Sequence, residues 1–186
     1  MKKMSMMNPV YVKKFYSGIG SRNAPPKILE FMEKIASVLE ECGYILRSGK
    51  AKGSDRAFEK GVNNPKNKEI FTHRDAKPWA FVTVKKYLPN DRPATFDSWQ
   101  DYVRCLLARN MMQVLGPFGT VPVKFVVCWT PRGDYATSEV GGTGYALRCA
   151  IDHGIPTYNL NYPDQMEAFK ALVKEIYKEF KNAKDS

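Results

Sequence analysis

The sequence lacks any long hydrophobic run. Its longest uninterrupted apolar stretch is residues 125–129, far short of the roughly 20 residues a membrane-spanning helix needs. The basic start at Lys2 and Lys3 leads into Asn8 and Pro9 with no apolar segment after it, so neither a secretory leader nor a membrane partner is expected. Cysteine is sparse. Cys42, Cys105, Cys128 and Cys149 form no CxxC pair and fall within expected helices and a strand, which reads as reduced core thiols of a cytoplasmic protein. Histidine is sparser still: His73 and His153 are isolated. No His, Cys and Asp cluster has metal-ligand spacing, so no metal is expected, and no cofactor is implied. Internal repeats and low-complexity tracts are also missing.

What is present is ordinary globular composition. The 186 residues are 44% apolar and 26% charged, enough to fill the core of a single domain spanning 1–186. The net charge is +10. The lysines are spread along the chain, and near the end Lys170, Lys174, Lys178 and Lys181 alternate with Glu167, Glu175 and Glu179 as on a solvated helix face. This charge favours an anionic partner without choosing between a small nucleotide and a polymer such as single-stranded DNA.

Hydrophobic periodicity organises the chain. Strands are expected at 14–17, 44–48, 69–71, 124–128 and 155–158, and helices at 25–42, 54–61, 97–115, 143–153 and 164–181. Ser54 or Asp55 suits the cap of the short second helix, and Met166, Phe169, Leu172, Val173, Ile176, Tyr177 and Phe180 form the inward face of the last. Residues 72–96 contain Pro78, Pro89 and Pro93 with no sustained period, so they read as a long loop insertion. Trp79, Tyr87, Phe96 and Trp99 in or beside it suit either base stacking or a satellite core. The alternation predicts an α/β, Rossmann-like doubly wound, mainly parallel sheet with helices on both faces. In such a sheet every strand-to-helix turn lies at the carboxyl edge.

Three of those turns are rich in glycine: Gly18-Ile19-Gly20-Ser21-Arg22, the segment from Ser48 to Asp55, and Gly141-Gly142-Thr143-Gly144. Glycine allows close backbone approach, and a following helix N-terminus favours an anion. Arg22, Lys50 and Lys52 add cations, and Ser21, Ser54 and Thr143 add hydroxyls. The expected ligand-binding residues are Gly18, Gly20, Ser21, Arg22, Ser48, Gly49, Lys50, Lys52, Gly53, Asp55, Gly141, Gly142, Thr143 and Gly144. No G-K-[ST] ends a phosphate loop, and Asn23 stands where a dinucleotide fingerprint needs glycine. Arg148, one turn into the fourth expected helix, suits either a phosphate contact or solvent. His153, before Gly154, suits a helix end.

These turns, with Leu46-Arg47-Ser48-Gly49-x-Ala51-x-Gly53-x-Asp55-x-Ala57-Phe58, the segment Ala108-Arg109-Asn110-Met111-Met112-Gln113-Val114-Leu115-Gly116 and Cys128-Trp129-Thr130, resemble the SLOG superfamily. That group includes the Smf/DprA DNA-processing proteins and the lonely-guy-type phosphoribohydrolases, and the look-alikes are small stand-alone members, many of them phage-encoded. The resemblance covers about residues 14–160. It implies a Rossmann-like sheet that binds a nucleotide or nucleotide derivative, adds Arg109 and Asn110 to the binding set, and suggests a homo-oligomer in contact through the apolar face of the 97–115 helix. It leaves three functions open: sensing or sequestering a nucleotide signal, with phage counter-defence as one use; N-glycosidic cleavage of nucleoside 5′-monophosphates; and DprA-like single-stranded DNA binding. For cleavage, Arg109 matches the family arginine near the ribose phosphate. The family glutamate has no match, because Gly144-Tyr145-Ala146 follows Gly141-Gly142-Thr143 and Val140 replaces the leading proline. Glu139 is the catalytic candidate among the remaining carboxylates, with Asp134 and Asp55 as the others.

Overall fold

Successive side chains of the first strand are buried in opposite directions. Phe15 and Ile19 enter one apolar cluster and Tyr16 enters another. In the fourth strand, Val126 and Cys128 face the first cluster and Val127 faces the second. A strand covered on both faces needs apolar residues at consecutive positions, which explains the unbroken run at 125–129.

A computed structural model describes residues 12–91 and 96–185. The basic N-terminus at Lys2 and Lys3 and the loop proline Pro93 lie outside the described residues. Five strands, β1 (Lys14–Gly20), β2 (Tyr44–Ser48), β3 (Lys68–Ile70), β4 (Val126–Trp129) and β5 (Thr157–Asn159), form one all-parallel sheet in the order β3-β2-β1-β4-β5. The helices among the described residues are α1 (Pro26–Glu41), α2 (Ser54–Gly61), α3 (Pro78–Val84), α4 (Asp101–Leu115), α5 (Thr143–Asp152) and α6 (Pro163–Lys184). The fold is the Rossmann-like doubly wound α/β arrangement.

Each face has its own core. Leu107, Met111 and Val114 of α4, Leu147 and Ala150 of α5 and Ala80 and Val84 of α3 cover one face. Met32, Ala36 and Leu39 of α1, Phe58 of α2, and Phe169, Val173 and Ile176 of α6 cover the other. The α1 residues recur at helical spacing, Pro26 occupies the first turn without losing a needed N–H, and Gly43 follows the helix at φ +81°.

The structure departs from the sequence expectation in several places. The strand β1 runs on through Gly18 and Gly20 because they pair with Val127 and Trp129 of β4. The 72–96 segment is not a bare loop. It carries a 3-10 turn at His73–Asp75, the helix α3 and a second 3-10 turn at Lys85–Tyr87. Tyr87 and Phe96 are buried, Trp79 and Trp99 pack on the same cluster, and Trp79 donates through Nε1 to the Pro117 carbonyl at 3.0 Å. These aromatics therefore form core, not a stacking surface. On α6, Tyr177 is 36% exposed and not inward-facing.

Arg148 reaches neither a phosphate site nor open solvent. Its Nε donates to the Tyr87 carbonyl at 2.8 Å, its Nη1 donates to the carbonyls of Tyr135 and Thr137, and its guanidinium lies over the Tyr145 ring. It ties the α3 segment to the loop before α5. His153 sits at the end of α5 with Nδ1 2.9 Å from the Cys149 carbonyl. Cys42, Cys128 and Cys149 are buried free thiols and Cys105 is half-buried. Burial pushes the Cys128 thiol well up and the Cys149 thiol up to about 12, so neither is a ready nucleophile. No helix among the described residues is long and apolar enough to cross a membrane.

Candidate functional site

From β1 the sheet grows toward β2 and β3, and then the chain returns to place β4 on the other side of β1. At such a reversal the turns leaving adjacent strands go to opposite faces, and a crevice opens beyond the strand ends. A cleft of about 740 Å³ lies there, lined by residues 20–23, 49–51, 72–74 and 139–143, by Asp55 and Pro131, and by one face of α4. This volume suits a small organic ligand.

Of the residues singled out in the sequence, Gly20, Ser21, Arg22, Gly49, Lys50, Asp55, Arg109, Asn110, Glu139, Gly141, Gly142 and Thr143 line this cleft. Gly18, Ser48, Lys52, Gly53 and Gly144 do not. Gly18 makes room for Phe58, whose Cγ would lie 2.6 Å from an added Cβ. Ser48 Oγ donates to the Gly18 carbonyl at 2.6 Å. Gly53, at φ +78°, lies against the carbonyls of Ser21 and Arg22, and Gly144 against Val140. Lys52 is exposed outside the cleft. These residues shape the scaffold that holds the lining in place.

The glycine turns also differ from the expected cradle of free amides. Asp55 is 3% exposed and caps no helix end with its side chain. The N-cap of α2 is Gly53, without a side-chain bond. Instead Asp55 accepts from the Gly20 amide through Oδ1 and from the Gly49 amide through Oδ2, each at 3.1 Å. Ser21 donates its amide to the Trp129 carbonyl, and Ser54 donates both its amide and its hydroxyl to the Ser21 carbonyl. The Asp55 carboxylate thus occupies the position where a bound anion would take amides from the first two turns, and the N-terminus of α2 is closed by the first turn. The third turn remains open. Among the described residues the amides of Gly142 and Thr143 donate to no backbone carbonyl, while Asn110 Nδ2 anchors the turn by donating to the Gly142 carbonyl at 2.9 Å.

Beneath the turns lies Arg109, 7% exposed, with Nη1 3.6 Å from Asp55 Oδ2. Burial pulls its pKa down and pushes that of Asp55 up, while each charge opposes the shift of the other. Arg109 Nε and Gln113 Nε2 are buried with no hydrogen-bond partner among the described residues. An orphaned buried donor costs about 1–3 kcal/mol, and two on adjacent turns of one helix, both lining the cleft, give its floor unused hydrogen-bond donors. Gly49 allows this arrangement: an added Cβ would lie 1.6 Å from Arg109 Nη1 and 2.4 Å from Gln113 Nε2.

The mouth carries a different charge balance. Arg22, Lys50 and Arg74 line it, are exposed, and form no ion pair among the described residues. Arg74 follows Thr72 in a tight turn held by Asp75, whose Oδ2 accepts from both the amide and the hydroxyl of Thr72 at 2.7 Å. The apolar part of the wall comes from Tyr102, Val103, Leu106 and Leu107 of α4, with His73 edge-on to Tyr102 at 4.9 Å. Tyr102 is 54% exposed. Glu139 also lines the cleft, with Oε2 accepting from the Asp134 amide at 3.0 Å, whereas Asp134 does not line it. Among the described residues no three His, Cys, Asp or Glu side chains gather closely enough to hold a metal ion.

Sequence reasoning missed Gln113 and the 72–74 segment as lining residues. Gln113 carried a usable signal, since it lies four positions after Arg109 as the one polar residue between Met111-Met112 and Val114-Leu115. The 72–74 segment carried none, because its place depends on β3 lying beside β2. No protein-family model matches the chain, and no curated protein matches it.

Proposed function

We propose that the cleft binds a nucleotide or nucleotide-derived signalling molecule and that the protein acts as its sensor or sequestering agent. The observation that carries this reading is the pair of orphaned buried donors, Arg109 Nε and Gln113 Nε2, at the floor of a cleft whose mouth bears unpaired Arg22, Lys50 and Arg74. An open helix N-terminus at Gly142 and Thr143 adds to the attraction for phosphate, and the Tyr102 wall suits a base. The SLOG-like turns support the same class of ligand. The test is to denature the purified protein and identify released small molecules by mass spectrometry. A stoichiometric nucleotide is the expected result. An empty protein that also fails to bind added mononucleotides would contradict the reading.

A second reading, N-glycosidic cleavage of a nucleoside 5′-monophosphate, draws on the presence of Arg109 and Glu139 in the same cleft. It requires Glu139 to serve as the carboxylate of an oxocarbenium-like transition state. Release of free base from AMP, GMP, CMP or UMP, lost in Glu139→Gln, separates it from binding alone.

The mouth allows a sharper mutational test. Lys50 is the one described non-glycine residue with a left-handed backbone, at φ +61°, a conformation costing about 1–2 kcal/mol in an L-residue. Lys50→Gly removes both the strain and the charge. It is expected to stabilise the free protein by about 0.5–1 kcal/mol in urea unfolding while weakening nucleotide binding several-fold in calorimetric titration. Lys50→Ala should weaken binding equally with no gain in stability.

A further inference from the structure

Resting on the nucleotide-binding reading, we infer that Gln113 is a specificity-determining residue: its carboxamide, beside Arg109 at the floor of the cleft, hydrogen-bonds the ribose hydroxyls and makes the site select ribonucleotides over deoxyribonucleotides. Gln113 is 1% exposed, lines the cleft and has a buried Nε2 without a partner among the described residues. It belongs to none of the glycine turns.

The charge distribution decides which part of a nucleotide reaches it. At the floor, the Arg109 guanidinium faces the buried Asp55 carboxylate at 3.6 Å, so the formal charges of this pair cancel. A phosphate there would be brought toward a carboxylate in a desolvated environment, which is strongly unfavourable. An uncharged acceptor meets no such penalty. Among the described residues that line the cleft, the cations without an ion pair are the exposed Arg22, Lys50 and Arg74 at its mouth. The phosphate therefore stays outermost, and the flat base takes the apolar wall of Tyr102, Val103 and Leu106. That leaves the sugar edge for the floor. A hydroxyl can accept from the Gln113 amide or from Arg109 Nε and also donate to a carboxamide oxygen. A ligand without that hydroxyl leaves the buried donors orphaned, the condition under which polar sites discriminate most strongly.

The experiment titrates the wild-type protein, Gln113→Met and Arg22→Ala with AMP, GMP, CMP and UMP and with their 2′-deoxy counterparts. Methionine keeps the length of glutamine and removes its polar atoms. For whichever base binds, the wild type is expected to prefer the ribonucleotide about tenfold or more. Gln113→Met should lower ribonucleotide affinity to the deoxyribonucleotide level and change deoxyribonucleotide affinity less than about twofold. Arg22→Ala should weaken both sugars by the same factor. Equal wild-type affinity for the two sugars overturns the inference and needs no folded variant to do so. An equal loss for both sugars in Gln113→Met also overturns it. Failure of the wild type to bind any of these compounds is a different outcome, which removes the nucleotide reading itself.

Discussion

Asp55→Ala is expected to lower folding stability by about 3–5 kcal/mol, the effect of leaving one member of a buried ion pair without its partner. Asp55 holds the Gly20 and Gly49 amides at 3.1 Å and faces Arg109 at 3.6 Å. Removing the carboxylate leaves the Arg109 charge uncompensated and strands donors from turns 35 and 6 residues away in sequence. In thermal melts of a chain this size the loss corresponds to about 6–20 °C. Asp55→Asn should cost less, because an amide oxygen can still accept one of the bonds, but it cannot neutralise Arg109. A change below about 1 kcal/mol in urea unfolding of Asp55→Ala would mean that the two turns hold their shape without the carboxylate.

Gly49→Ala should have the largest effect on the cleft. No rotamer change in alanine can avoid the overlap: the new methyl would lie 1.6 Å from Arg109 Nη1 and 2.2 Å from its Cζ. Either the guanidinium leaves Asp55 or the β2–α2 turn moves. Overpacking of this kind costs about 1–3 kcal/mol, and nucleotide affinity is expected to fall at least tenfold in calorimetric titration. Gly142→Ala is the control. At Gly142 the nearest atom to an added Cβ is Leu107 Cδ2 at 4.0 Å, and its φ is −62°. Its stability should stay within about 0.5 kcal/mol of wild type, so glycine is not needed there for the fold. Equal binding by Gly49→Ala and wild type would show that the Arg109 position is irrelevant to the ligand.

The sheet was legible because its strands are short apolar runs separated by helical periods. The β2 bounds came directly from Tyr44-Ile45-Leu46-Arg47-Ser48 between Gly43 and Gly49. The α3 helix was not legible. Seven residues beginning with proline give too few turns to show a period, and a proline at a first helical position looks the same in sequence as one in a loop. The three glycine turns did meet at one cleft, but the individual glycines serve different ends. Gly18 and Gly144 admit neighbouring side chains, Gly53 and Gly141 hold positive φ, and Gly49 gives space to Arg109. Sequence alone does not separate these roles, because each is set by what another segment places nearby. Asp55 shows the same limit. An acidic residue opening a helix resembles a cap, yet its carboxylate bonds across to β1.

The most direct measurement follows the arginine side-chain Nε–H resonances by 1H–15N spectroscopy during titration with the four ribonucleoside 5′-monophosphates. The Arg109 Nε–H, orphaned and buried in the free protein, should shift and become protected from exchange as a ligand acceptor reaches it. The Arg47 Nε–H, already bonded to Glu69 at 2.7 Å on the edge away from the cleft, should stay in place. An Arg109 signal unmoved by saturating concentrations of every one of these nucleotides would contradict a nucleotide site at the floor of this cleft.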